Sequence, residues 1–139
     1  MKITASSLDE TRKLGARIAK ISKPADVYAL EGDLGTGKTE FARGFIDELD
    51  ETIIVRSPSF AIVNTYRTSS FPVYHFDFYR LSDSSELYEI GFEEYLSEEG
   101  VCIIEWATMF PEVLPDHTRF LRFTDTGKNQ REIELSFNL

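Results

Sequence analysis

Eight consecutive residues, Gly32-Asp33-Leu34-Gly35-Thr36-Gly37-Lys38-Thr39, fit the pattern G-x-x-x-x-G-K-[ST] of a phosphate-binding P-loop. Glycines in such a loop let the backbone close around phosphate with its N–H groups turned inward as donors, and the following helix N-terminus adds partial positive charge. Lys38 is then the residue that reaches the β- and γ-phosphates, and the Thr39 hydroxyl is a ligand for Mg²⁺. Such a site also needs acids to hold the cation and orient a nucleophile. Glu105 ends the most apolar segment of the chain, where ligand groups gather in an α/β sheet, and has the placement of a Walker-B acid. Asp77 lies on the polar side of an alternating run, between His75 and Tyr79. On spacing alone, a solvated or arginine-paired aspartate fits that position as well as a functional one.

The elements that must position these groups are legible as patterns. Ser7-Leu8-Asp9-Glu10 is a capping box, and Leu14, Ile18 and Ile21 continue one apolar helical stripe until Pro24. Val27 to Leu30 reads as a buried strand entering the glycine-rich turn. A second helix follows, with Phe41, Phe45 and Leu49 on one face. Strands are expected at 52–56, 60–66, 73–80 and 101–104. In the third of these, His75, Asp77 and Tyr79 face one side, and Tyr74, Phe76 and Phe78 the other. A helix capped by Ser82 or Asp83 and anchored by Leu87, Ile90 and Tyr95 is expected in the acidic window. A hairpin turning at Asp125-Thr126-Gly127 closes the chain. Alternating strands and helices predict a three-layer α/β fold of P-loop type, with a largely parallel central sheet and an antiparallel edge hairpin.

The length of 139 residues suits a single domain spanning residues 1–139, and 42% hydrophobic with 13% aromatic residues suffices for a core. Twenty-four acids against 15 bases give a net charge of −9, which disfavours direct contact with nucleic acid or anionic membrane. Seven of those acids lie between Leu81 and Gly100 with no base among them, the pattern of a solvated helix face or a dock for a basic partner. There is no apolar run of membrane-spanning length, and Met1-Lys2-Ile3-Thr4 lacks a signal-peptide stretch, so a cytoplasmic protein is expected. The single cysteine, Cys102, sits in an apolar strand and reads as core. His75 reads as a structural hydrogen-bonding group, and Arg80 as the partner of a nearby acid.

Four ordered motifs resemble one family: Gly32 to Thr39, Ser57-Pro58-Ser59-Phe60, His75 to Arg80, and Ile104-Glu105-Trp106. Together they are similar to the TsaE family, formerly called YjeE, over nearly the whole chain. The resemblance implies the small ATPase of bacterial tRNA threonylcarbamoyladenosine synthesis, which modifies the adenosine beside the anticodon. It implies action with TsaD, which carries the transferase chemistry, and TsaB, with tRNA met only through the complex. ATP and Mg²⁺ are the implied ligands, and slow hydrolysis would support or reset the assembly.

Carried over by position, Asp33, Leu34, Gly35, Thr36, Gly37, Lys38, Thr39 and Glu40 would surround the nucleotide. Thr39 and Glu105 would hold the metal. Asp77 becomes an acid facing the γ-phosphate or its water, and Ser57 to Phe60 a switch-like loop. Thr11 and Arg131 align with positions near the nucleotide, and Trp106 would report on the site or contact a partner. The chain departs from the family at Ser59, where threonine is common, and at Glu40, where a small hydroxyl residue is common. An inward carboxylate at 40 would weaken binding, whereas one turned to solvent suits a helix first turn. A GTPase lacks support, since neither Asn/Thr-Lys-x-Asp nor Asp-x-x-Gly occurs, and a kinase lacks an arginine-rich lid. A binding module with little turnover is the non-enzymatic alternative.

Overall fold

The structure is a computed structural model that describes residues 1–33, 35–56, 58, 61–97 and 99–139. Strands β1 (Lys2–Ala5), β2 (Val27–Glu31), β3 (Val63–Arg67), β4 (Pro72–Asp77), β5 (Val101–Glu105), β6 (Arg119–Gly127) and β7 (Gln130–Leu135) form one sheet. Their order is β1-β7-β6-β2-β5-β4-β3. The central strands β6, β2, β5 and β4 run parallel. Both flanks are antiparallel, through β7 and β1 on one side and β3 on the other. The expected mixed sheet is therefore present, with a second antiparallel edge that the pattern did not announce.

Alternation along the buried strands sorts the core into two halves. Tyr28, Leu30, Ile103 and Leu121 turn toward helices α1 (Leu8–Ile21) and α2 (Lys38–Leu49), meeting Leu14, Ile18, Phe41 and Phe45. Val27, Ala29, Phe76, Cys102 and Ile104 turn the other way, onto Leu87 and Phe92 of the short helices α3 (Ser85–Glu89) and α4 (Phe92–Ser97). This is the three-layer arrangement. Cys102 is buried within it, and loss of solvation pushes its thiol up to about 12, so it stays protonated.

The structure departs from the expected elements where side chains take backbone partners first. Residues 52–56 are not a strand. The Asp50 carboxylate accepts from both N–H and Oγ1 of Thr52, and the Tyr66 hydroxyl both accepts from Arg56 N–H and donates to its carbonyl. β3 begins only at Val63, and β4 stops at Asp77, where Phe78 to Leu81 closes a turn. The acidic helix is two short ones, broken at Gly91 (φ +75°), with Ile90 and Tyr95 only partly buried. Ser84 is the N-cap of α3, while the Asp83 side chain accepts from Ser85 N–H. β6 runs through Asp125 to Gly127, so the turn falls on Lys128-Asn129, both with positive φ as a two-residue hairpin requires.

α1 and α2 touch at their backbones. A Cβ on Gly44 would lie 1.9 Å from the Arg12 carbonyl oxygen, and one on Gly15 2.2 Å from that of Phe41. Alanine at either position gains helix propensity of about 1 kcal/mol. Forcing two helices apart in a packed core costs more, so Gly44→Ala should lose about 2 kcal/mol net in urea unfolding.

Candidate active site

Leu30, Glu105 and Asp77 sit level with one another across β2, β5 and β4, and all three point to the α1/α2 side of the sheet. The glycine-rich loop leaves β2 just beyond that row and enters α2 at Lys38. Gly32, Gly35 and Gly37 all have positive φ (143°, 79° and 103°), so the loop needs glycine for its path. Gly32 needs it for room as well, because a Cβ there would lie 2.6 Å from the Phe123 carbonyl oxygen.

Lys38 is 4% exposed. Its Nζ donates to the Gly32 carbonyl at 2.7 Å and lies 4.1 Å from the centroid of the Trp106 ring. Burial lowers its pKa, opposed by the negative charges of Glu105, Asp77, Glu31 and Asp33. Gly35, Gly37, Lys38, Thr39, Glu40, Asp77, Glu105, Trp106 and Leu8 line one cleft of about 340 Å³. The expected catalytic residues Lys38, Asp77 and Glu105 thus share a cavity with Thr39, although β2, β4 and β5 are far apart in the chain.

The two acids differ in environment. Glu105 is tied down by His75, whose Nε2 lies 2.7 Å from Glu105 Oε2, with both side chains buried. Asp77 Oδ1 accepts from Tyr79 N–H at 2.9 Å. Burial is the main cause that raises the Asp77 pKa, and repulsion from Glu105 adds to it. These outweigh the Tyr79 hydrogen bond and the attraction of His75 and Lys38. Asp77 therefore holds a proton more tightly than an ordinary aspartate.

Other expected residues fall around the loop. Thr36 Oγ1 donates to the Asp33 carbonyl and pins the turn, while the Asp33 side chain points to solvent. Thr11 and Arg131, both buried, back the loop: a Cβ on Gly37 would sit 3.1 Å from Arg131 Cδ and 3.4 Å from Thr11 Cγ2. Arg131 Nε and Nη1 have no partner among the described residues. Glu40 bonds to Arg12 Nε at 2.5 Å and Arg43 Nη1 at 3.0 Å, so two guanidinium groups offset its charge beside the cleft. Leu34, Ser57, Ser59 and Phe60 lie outside the described residues. Pro58, from the same loop, lines a smaller cavity that also contains Asp77.

Two contacts escaped the sequence reading. Glu31, the last residue of β2, accepts from Thr108 N–H and Oγ1 and clasps the turn after β5 to the start of the glycine-rich loop. Trp106, two residues before Thr108, holds a left-handed backbone (φ +59°) and meets the Tyr79 ring in a tilted contact, with centroids 4.9 Å apart and planes at 45°. An acid directly before the first loop glycine was the available signal for Glu31. Nothing in the spacing signalled the Tyr79 contact, because β4 was expected to run through that residue.

Fold and site together define an α/β domain built around a strand–glycine loop–helix unit with two acids facing it. The family described as "Threonylcarbamoyl adenosine biosynthesis protein TsaE" matches residues 5–133, and this chain belongs to it. It is 42% identical over 125 residues to the tRNA threonylcarbamoyladenosine biosynthesis protein TsaE of Bacillus subtilis, covering 90% of this chain and 78% of that one. Identity to the protein of the same name from Rickettsia felis is 43% over 107 residues, 76% of this chain and 62% of that one. The crystal structure of Bacillus subtilis YdiB superimposes with a TM-score of 0.83 at 36% identity, over 97% of this chain and 83% of that one.

The raised pKa of Asp77 has a sign that stability can report. The folded state holds the Asp77 proton more tightly than the unfolded chain, so stability falls as pH rises from the ordinary carboxylate value through the raised one. Asp77→Asn should therefore melt above wild type at pH 7 in the absence of ligand, and the gap should close toward about pH 4. A gap that stays constant across that range would mean the gain is not electrostatic.

Proposed function

We propose that this protein binds and hydrolyses ATP with Mg²⁺, as a subunit of the machinery that places threonylcarbamoyl on a tRNA adenosine next to the anticodon. Family membership supports the pathway. The observation that carries the activity is the single cleft in which Lys38, Thr39, Asp77 and Glu105 converge on the glycine-rich loop. TsaD and TsaB are the proposed partners and the cytoplasm the proposed location. Among the described residues no helix is long and apolar enough to cross a membrane. The acidic chain suits contact with tRNA through the complex rather than alone.

The donor set fits Mg²⁺. The Thr39 hydroxyl and the Glu105 carboxylate are hard oxygen ligands and too few for an all-protein cage, the usual case for a cation held by one or two carboxylates plus substrate phosphates. When bound, Mg²⁺ would neutralise charge on the phosphate oxygens. The loop amides, freed by the glycine conformations, would hold the phosphates in register. The Lys38 ammonium, stored on the Gly32 carbonyl and the Trp106 ring, would swing to the β- and γ-phosphates, exchanging one set of acceptors for another. Asp77 would orient water for attack on the γ-phosphorus with ADP as leaving group, taking the water proton on a carboxylate of raised pKa. Glu105, bonded to the His75 ring, would serve as the carboxylate ligand of the cation. A nucleotide-gated binding module is the second reading, favoured by the stored position of Lys38 and distinguished by whether partner proteins raise turnover.

Calorimetric titration with Mg·ATP and Mg·GTP tests the reading, with Trp106 fluorescence followed in parallel. Selective ATP binding with a fluorescence change is expected, because Lys38 leaves the Trp106 ring. Lys38→Ala should abolish binding by removing charge-assisted contacts of about 1.5–3 kcal/mol each. Glu105→Ala should lose hydrolysis more than binding. Identical behaviour of the two variants would overturn the division of roles, and no binding of either nucleotide would overturn the ATPase reading.

A further inference from the structure

His75 is fully buried in the middle of β4, on the sheet face that carries Tyr28, Leu30, Val73 and Ile103. Tyr28, in the same row, brings the other polar ring, and its hydroxyl is satisfied by Ser22 at 2.6 Å. The Nε2 of His75 is bonded to Glu105, and its Nδ1 is buried with no partner among the described residues. Leaving a buried polar atom bare is costly. An apolar residue would pack this position without that cost, so core filling alone does not account for a histidine here.

The register explains what the ring can do. His75 pairs with Ile103, and Asp77 pairs with Glu105, so His75 lies diagonally behind Glu105 and one layer below the cleft. A glutamate has three side-chain torsions, and at a strand end beside another carboxylate it is free to turn away or to crowd Asp77. The Nε2–H donor seizes Oε2 from the core side. Oε1 is the oxygen that this bond leaves over, on a residue that lines the cleft, and the carboxylate is held by an interaction independent of Lys38. With Nδ1 unpartnered, the tautomer carrying its proton on Nε2 is the one that satisfies the pair.

Resting on the proposed ATPase reading, we infer that His75 is a positioning residue that aims the Glu105 carboxylate at the phosphate-bound cation. Such indirect supports of metal-binding carboxylates and imidazoles typically carry 10–100-fold effects on metal affinity or activity.

The test exploits reach. Glutamine places an amide nitrogen three bonds from Cβ, as Nε2 is, whereas asparagine places it two bonds away and cannot span to Glu105. Both bury the same amide, so thermal melting of the two variants gives a matched control. In the full-length protein, His75→Asn should lose kcat and apparent Mg²⁺ affinity about 10–100-fold, with KM for ATP and Mg-free nucleotide binding little changed. His75→Gln should recover most of that loss. In a Glu105→Ala background His75→Asn should cost nothing further, because the only route of its effect is gone. Independently of activity, the ring-nitrogen NMR spectrum of the ligand-free protein, which holds two histidines, should show the His75 proton on Nε2.

Equal losses in the Asn and Gln variants at equal melting temperature would overturn the inference. So would an added loss on Glu105→Ala, or a proton found on Nδ1 with Nε2 bare. If the Asn variant does not fold, His75→Met replaces it as a donor-free filler of similar size, and the wild-type spectrum still decides. A wild-type protein that neither binds nor hydrolyses Mg·ATP would sink the ATPase reading while the spectrum still reports on the His75–Glu105 bond.

Discussion

A lysine ammonium kept almost wholly out of water is the constraint around which this molecule is arranged. Burial alone would favour neutral Lys38. The protein opposes that with the Gly32 carbonyl, the face of Trp106 and four acids within electrostatic range, none of which forms a close ion pair with it among the described residues. The charge is stabilised but not locked. A close carboxylate partner would hold the lysine in place, whereas a carbonyl and a ring leave it able to exchange acceptors.

Keeping those acids at the right distance is the work of the sheet. Parallel pairing of β4 with β5 and of β5 with β2 sets Asp77, Glu105 and Leu30 level, with the loop springing from the next turn of chain. Two carboxylates side by side would repel, and their surroundings separate them. Glu105 is bound from the core by His75, and Asp77 is bound by a backbone N–H and left with a raised pKa. Similar groups thereby sit in different surroundings, one bonded to a buried imidazole and the other to a backbone N–H.

The rest of the fold supplies rigidity to that row. Glycine contacts between α1 and α2 bring the helices together behind the loop, and Thr11 from α1 and Arg131 from β7 press against Gly37. Glu31 clasps the turn after β5, so the segment carrying Trp106 is fixed to the strand that launches the loop. Exposed acids of α3 and α4 lie on the opposite layer of the sheet.

Local patterns announced the pieces whose cause is local. The glycine-rich motif, the Ser7 cap, the stripe Phe41-Phe45 and the apolar run of β5 follow from backbone sterics, capping and period, all of which neighbouring residues decide. The four ordered motifs also carry the family resemblance that the family match bears out. The expectations failed for two reasons: a distant side chain, Tyr66, took the backbone of Arg56 and cancelled a strand, and Gly91, with a positive φ, broke from within a helix that the acidic pattern ran through. Legible in the residues alone were a glycine-rich loop between strand and helix, two candidate acids and a layered α/β frame. The tertiary structure alone shows that His75 grips Glu105, that Tyr79 packs at a tilt on Trp106, that Glu40 pairs with Arg12, and that Asp77 carries the raised pKa. Each of those depends on strand order, register and burial, which bring together residues dozens of positions apart and set how much water stands between their charges.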